Sequence, residues 1–143
     1  AALRLEHGYL LEADELGHPD DSLDTQPAYE VLSSIRTLSV RSPLSFSELL
    51  RGPSSLGALL EGQGYPAVPS HTTPDPGTDE YFAGGFNTFM HGCRAGGVIC
   101  GVQIESNRIG VRDTEENRAR FASALAQVIA RYLELHYALD ITP

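Results

Sequence analysis

Residues 81–108 read YFAGGFNTFMHGCRAGGVICGVQIESNR, and the fold turns on how this segment divides into strands and turns. Val98 to Ile104 is an apolar run rich in β-branched residues. It is entered through Gly96-Gly97 and followed by Glu105, Asn107 and Arg108, the pattern of a buried strand with polar groups gathered at its C-terminal end. In open α/β sheets that end is where ligands bind. Phe86 to Met90 reads as a short strand, and the glycines at 84, 85, 92, 96 and 97 suit turns with positive φ or close approach of the backbone to a ligand. Two strands joined by a glycine loop would bring His91 and Glu105 into one neighbourhood.

Working outward, Glu6 to Ala13 is a short apolar run with strand character, and Pro19 to Asp24 is an acidic, turn-rich loop. Tyr29, Val31, Leu32, Ile35 and Leu38 recur at near-helical spacing and predict a helix over 26–40. Ser45 followed by Glu48 forms a capping box for a helix that Arg51-Gly52-Pro53 ends. Ser54 to Glu61 is a short helix or turn, stopped by Gly62 to Gly64. Prolines at 66, 69, 74 and 76 predict an extended surface loop over 65–77. Asp113 and Glu116 resemble a second capping box, after which Phe121, Ala122, Leu125, Val128, Ile129, Tyr132, Leu133 and His136 form one apolar stripe. That stripe predicts a structural helix from about Thr114 to Leu139, packed across the sheet. The fold class is α/β, a mixed sheet flanked by helices, in one domain over residues 1–143.

Composition narrows the function classes. The formal charge of −9 and the absence of lysine make every basic residue an arginine, through coding bias or through selection for arginine's bidentate geometry. An acidic surface argues against nucleic acid and against an anionic membrane. No apolar run approaches the roughly 18 residues that span a bilayer. The chain starts Ala1-Ala2, which points to processing or truncation upstream. Cys93 and Cys100 are the only cysteines. If Met90 to Cys93 and Val98 to Cys100 pair as strands, a disulfide would close the hairpin, which leans to a secreted or otherwise oxidising compartment. Two reduced, partly buried thiols are the alternative. These two alone do not make a zinc site, because structural zinc takes four ligands.

Five segments in order, SSIR (33–36), ELLRGPSSLGALLE (48–61), GYPAVPS (64–70), YFAGGFNTFMHG (81–92) and VQIESNR (102–108), resemble the C-terminal half of the N-formylglutamate amidohydrolase-like proteins, which are related to zinc carboxypeptidases. The resemblance covers about residues 5 to 130. It implies an incomplete zinc-carboxypeptidase-like (phosphorylase/hydrolase-like) domain, whose early and mid-chain metal ligands would lie before Ala1. On that reading the chain is a processed fragment, one chain of a cleaved heterodimer, or a shortened descendant. Zinc would be supplied mainly by an N-terminal half or companion chain. His7, in the segment resembling the one just after the last family metal ligand, departs from the aliphatic residue commoner there, and no ligand role is carried onto it.

The candidate chemistry centres on Glu105. At the end of an apolar strand it would be partly desolvated, which raises a carboxyl pKa, and the resemblance makes it the general base acting on a metal-bound water. The plainer role is a glutamate satisfied by Arg108 or a backbone amide. Arg36 or Arg108 would grip a substrate carboxylate through two parallel hydrogen bonds, with Asn107 donating beside them. The alternatives are surface ion pairs and a turn-forming asparagine. His91 would orient substrate or stabilise developing negative charge, unless it is a structural histidine. The spacing of His18, His71 and His136 makes no metal-ligand pair, and neither a phosphate-binding glycine loop nor a Gly-x-Ser-x-Gly elbow is present. Two functions remain. One is part of a zinc-dependent amidohydrolase or carboxypeptidase-like hydrolase cleaving an amide next to a carboxylate. The other is a non-catalytic structural or binding subunit that retains the fold. Both predict an exposed apolar surface where the missing half docks.

Overall fold

The computed structural model describes residues 4–98 and 100–141. Strand β1 (Leu5–Gly8) is the centre of a three-stranded sheet ordered β2-β1-β3. β2 (Ala67–Val68) joins it in parallel, with Leu5 opposite Ala67 and Glu6 opposite Val68. β3 (Gln103–Glu105) joins it antiparallel, with Glu6 opposite Glu105, His7 opposite Ile104 and Gly8 opposite Gln103. The chain is therefore mixed α/β with a small mixed sheet flanked by helices.

Helices fill most of the remaining chain. α1 (Ala13–Leu16), α2 (Asp20–Thr25), α3 (Pro27–Leu32) and α4 (Arg36–Arg41) are short, of four to six residues each. The helix expected over 26–40 breaks between α3 and α4, because Ser33 and Ser34 are fully buried and the Ser34 amide donates to the Tyr9 carbonyl at 2.9 Å instead of continuing the helical ladder. The acidic loop expected at 19–24 is α2, with Asp20 and Asp21 in its first turn, where the helix dipole favours negative charge. Asp24 near the end of α2 accepts from the Ser47 amide at 2.7 Å and the Ser47 hydroxyl at 2.9 Å, tying α2 to the next helix.

α5 (Phe46–Arg51) starts at the expected capping box, the Glu48 amide donating to Ser45 Oγ and the Ser45 amide to Glu48 Oε2. α6 (Leu56–Gly62) follows, capped by Ser55. The segment expected to be a surface loop at 65–77 instead enters the core at its start: Ala67, Val68 and Ser70 are buried, and the Val68-Pro69 bond is cis. Prolines did not forbid a strand here because β2 is only two residues long and sits at a sheet edge.

After α7 (Phe86–His91), the last helix is α8 (Glu115–Tyr137), the long C-terminal one. The N-cap of α8 is Thr114, whose hydroxyl accepts from the Asn117 amide at 3.1 Å, one residue later than the Asp113 box expected; Asp113 instead accepts from the Asn117 side chain at 2.7 Å. Phe121, Leu125, Val128 and Tyr132 of the predicted stripe face inward, joined by Ala124, while Ile129 is exposed. Leu5, Leu56, Leu60, Ala67, Val111 and Val128 make one apolar cluster between the sheet, α6 and α8. Tyr9, Leu11, Leu16, Leu23, Ile35, Leu38, Phe46, Leu49 and Leu50 make a second one among the short helices. Tyr132 packs against both, so α8 locks the helical half to the sheet half.

Candidate functional site

The segment 81–108 does not form the two strands expected of it. Phe86 to Met90 lies in helix α7, with the Gly92 amide closing on the Thr88 carbonyl at 2.9 Å. Its aromatic residues argued for a strand, but strand preference is a preference for a half-buried pleated surface, and Phe86 is 73% and Met90 54% exposed. Cys93–Ala95 is a single 3-10 turn. The expected buried strand over 98–104 shrinks to β3, and Val98 is 65% exposed; Ile99 lies outside the described residues. Hydrogen bonding explains the shortfall. The Gly101 amide and carbonyl are taken by the Ser34 carbonyl and hydroxyl, so this stretch pairs with the α3–α4 bend rather than with a strand. Cys93 and Cys100 form the disulfide, their Cα atoms 4.4 Å apart, without the strand hairpin expected to frame it.

Glu105 is exposed at the end of β3, not buried, and accepts from Gln103 Nε2 at 3.1 Å. Gln103 also fixes α7 to the sheet, its Oε1 accepting from the Gly85 amide at 2.9 Å and from Thr88 Oγ1 at 3.3 Å. Directly across the sheet from Glu105 stands Glu6, whose Oε2 accepts from the Phe82 amide at 3.1 Å. Carboxylates facing each other on paired strands repel, and neither makes an ion pair among the described residues. Asn107 donates to the Ile109 carbonyl at 2.6 Å and lines a cleft of about 610 Å³ between residues 63–66, 107–111 and α8, together with Arg120. Arg36 is elsewhere. It donates from Nη1 to the Arg94 carbonyl at 3.1 Å and lines a cleft of about 390 Å³ between α4 and residues 95–97. His91 ends α7 and is exposed; Arg108, also outside the clefts, follows β3. Glu105, His91 and Arg108 line none of the described clefts. The structure thus brings Glu6 and Glu105 together and places Asn107 and Arg36 in different clefts.

No family model, curated protein or solved structure matches this chain.

A zinc centre finds no complete donor set here. Among the described residues no three His, Cys, Asp or Glu side chains lie close enough together to hold a metal ion, and both cysteines are joined to each other. His7 is fully buried beside Gly57, whose place no larger residue could take without meeting the Pro69 carbonyl oxygen and His7 Cε1. Neither of its ring nitrogens has a hydrogen-bond partner among the described residues, and burial drives its pKa down to about 3, opposed only in part by the nearby Pro69 backbone. The Tyr81 hydroxyl donates to the His7 carbonyl at 2.8 Å, and burial raises its phenol well above the usual range, so it stays a donor.

What the segment does present is a surface. Phe82, Phe86, Phe89, Met90 and Val102 are all exposed around α7 and β3, and among the described residues β3 pairs on one side only. Among the described residues no helix is long and apolar enough to cross a membrane.

Proposed function

We propose that this chain is a binding or assembly subunit that docks a companion chain on the face formed by β3 and α7. The observation that carries the reading is the open β3 edge flanked by Phe82, Phe86, Phe89, Met90 and Val102. An unpaired strand edge offers a row of backbone donors and acceptors to an incoming strand, and clustered aromatic and Met side chains are the enriched chemistry of interface centres. Native mass spectrometry of the particle purified under mild conditions tests it. A second chain is expected, and Phe86→Glu, which alters a side chain 73% exposed, is expected to weaken its retention at least about tenfold while leaving the fold intact, as loss of an aromatic anchor does. A lone 15.4 kDa chain at working concentrations sinks the reading.

A second reading is favoured by the cross-strand carboxylates Glu6 and Glu105. Two like charges opposite each other on paired strands are destabilising, and a cation brought by a companion would relieve that repulsion. That suits half of a zinc-dependent amidohydrolase-like centre completed by the companion, with Glu105 as base and a carboxylate-bearing substrate gripped by an arginine. On this reading Glu105→Gln abolishes amide hydrolysis by the assembled particle, by about a hundredfold or more as expected for a general base. Full activity in that variant refutes the assignment, and stoichiometric zinc in the particle would decide for this reading over simple docking.

A further inference from the structure

Three of the ten arginines stand together on one face of this acidic chain. Arg36 and Arg41 sit at the two ends of α4, and Arg94 is in the 3-10 turn that packs on it. The arrangement is built, not incidental. Arg36 donates to the Arg94 carbonyl, the Thr37 hydroxyl donates to the Cys93 carbonyl at 3.1 Å, and the Cys93–Cys100 disulfide closes the loop that carries Arg94. The Arg94 guanidinium lies 3.9 Å over the ring of Phe89 on α7.

Arg41 joins three clefts. One, of about 390 Å³, runs toward Gly96 and Gly97; another of the same size runs toward Val98 and the end of α8; the third, of about 120 Å³, runs along Pro43. No aspartate or glutamate lines any of them. The ion pairs among the described residues use Arg4, Arg51 and Arg131, and none involves Arg36, Arg41 or Arg94. In a chain of net charge −9, joined carboxylate-free clefts lined by Arg36 and Arg41, with Arg94 on the adjoining turn, are a local reversal of the field. Val40 and Val98, 69% and 65% exposed, flank it with apolar surface.

We infer that this groove binds an acidic segment of a partner protein, one in which carboxylates alternate with aliphatic side chains. Guanidinium groups grip carboxylates bidentately, and the flanking valines take the apolar residues between them. Donors spread along joined clefts suit an extended ligand rather than a single small ion. A nucleic acid strand meets the repulsion of the whole chain beyond the groove. The inference rests on the reading of the chain as a docking subunit and adds the chemistry of what it docks.

The test is an amide-resolved NMR titration of the full chain with the peptide acetyl-Glu-Val-Asp-Glu-Leu-Glu-amide. Saturable shifts are expected at Thr37, Val40, Ala95 and Gly96. Arg41→Gln should weaken binding at least about tenfold, as loss of a charge in a complementary site does. Arg131→Gln, on α8 and paired with Glu134, should leave it unchanged. Equal binding of the Gln/Asn analogue, equal binding of a thymidine hexanucleotide, or self-association lost in Arg41→Gln would each overturn the inference. If native mass spectrometry finds a companion whose binding ignores Arg41→Gln, the groove assignment falls while the docking reading stands. If the peptide binds as expected but no companion is found, the groove assignment stands and the β3–α7 docking face falls.

Discussion

Arg51→Ala is expected to destabilise the chain by about 2–4 kcal/mol, the cost of leaving buried carbonyls without a charge-assisted donor. Arg51 is 8% exposed and uses its whole guanidinium fork. Nε donates to Asp20 Oδ1 at 2.8 Å, Nη1 to the Leu16 carbonyl at 2.7 Å and the Pro74 carbonyl at 3.3 Å, and Nη2 to the His18 carbonyl at 2.8 Å. One side chain thereby fastens the end of α1, the start of α2 and the proline-rich loop to α5. Its removal leaves three carbonyls without this donor, and water reaches them only by loosening those segments. Asp20→Asn, by contrast, should cost no more than about 1 kcal/mol, because the Asp20 side chain is 64% exposed and its charge is already well solvated. Arg51→Lys should recover little of the loss, since a lysine cannot reach three carbonyls along fixed diverging directions. Urea unfolding followed by circular dichroism measures all three. An Arg51→Ala loss below about 1 kcal/mol, less than a typical net hydrogen bond to a charged group, would show that the carbonyls find other partners.

Arg51 also marks the boundary of what sequence can show. Its neighbours Gly52 and Pro53 end α5, as expected, but the carbonyls it binds lie 23 to 35 residues away, and no side-chain pattern records a backbone carbonyl. Features written in local chemistry were legible: the Ser45/Glu48 box, the stop after α6 and the long C-terminal helix. The Cys93–Cys100 disulfide was one of two alternatives the sequence left open, and it forms without the strand hairpin expected to frame it. Features set by what packs on a segment were not. Phe86 to Met90 has strand-like residues but no sheet to lie against, and Val98 to Gly101 belongs to an apolar run whose hydrogen bonds the Ser34 bend claims first. The candidate site divided in the same way. β3 fell within the segment expected to carry a strand, but the exposure of Glu105 and the facing Glu6 depend on β1, almost a hundred residues earlier. The arginine groove was half visible, since Arg36 stood out as a carboxylate clamp, while Arg41 at the other end of α4 was not singled out and Arg94 meets it only through the packing of the 3-10 turn on α4.

The chain should lose about 2 kcal/mol of stability between pH 7 and pH 5 through the linkage of one buried histidine to folding, and that histidine is His7. His7 lies on β1, wholly enclosed, its ring edge against Tyr9 with centroids 5.3 Å apart, and neither nitrogen has a hydrogen-bond partner among the described residues. Burial penalises the charged ring and holds its pKa at about 3 in the folded chain, against about 6.5 in an unfolded one. Between those values the unfolded chain binds a proton that the folded chain refuses, so stability falls as pH falls, with a slope approaching about 1.4 kcal/mol per pH unit. Well above about pH 6.5 both states hold a neutral ring and the slope from His7 vanishes. Stopping at pH 5 keeps the measurement above the range where most carboxylates titrate, and comparison with His7→Leu isolates the share of this one group among the chain's five histidines. His7→Leu should flatten the profile by that amount, and at pH 5 it should keep more of its own pH 7 stability than the wild type does, because a leucine gives the unfolded chain no ring to protonate. Urea midpoints at the two pH values, for both proteins, give the answer. A flat wild-type profile, or an equal slope in His7→Leu, would mean that water or a backbone shift admits the proton to the ring. The expected profile would also account for an imidazole at this position: it is tolerated in the core as a neutral ring, and its tolerance ends where acid would charge it.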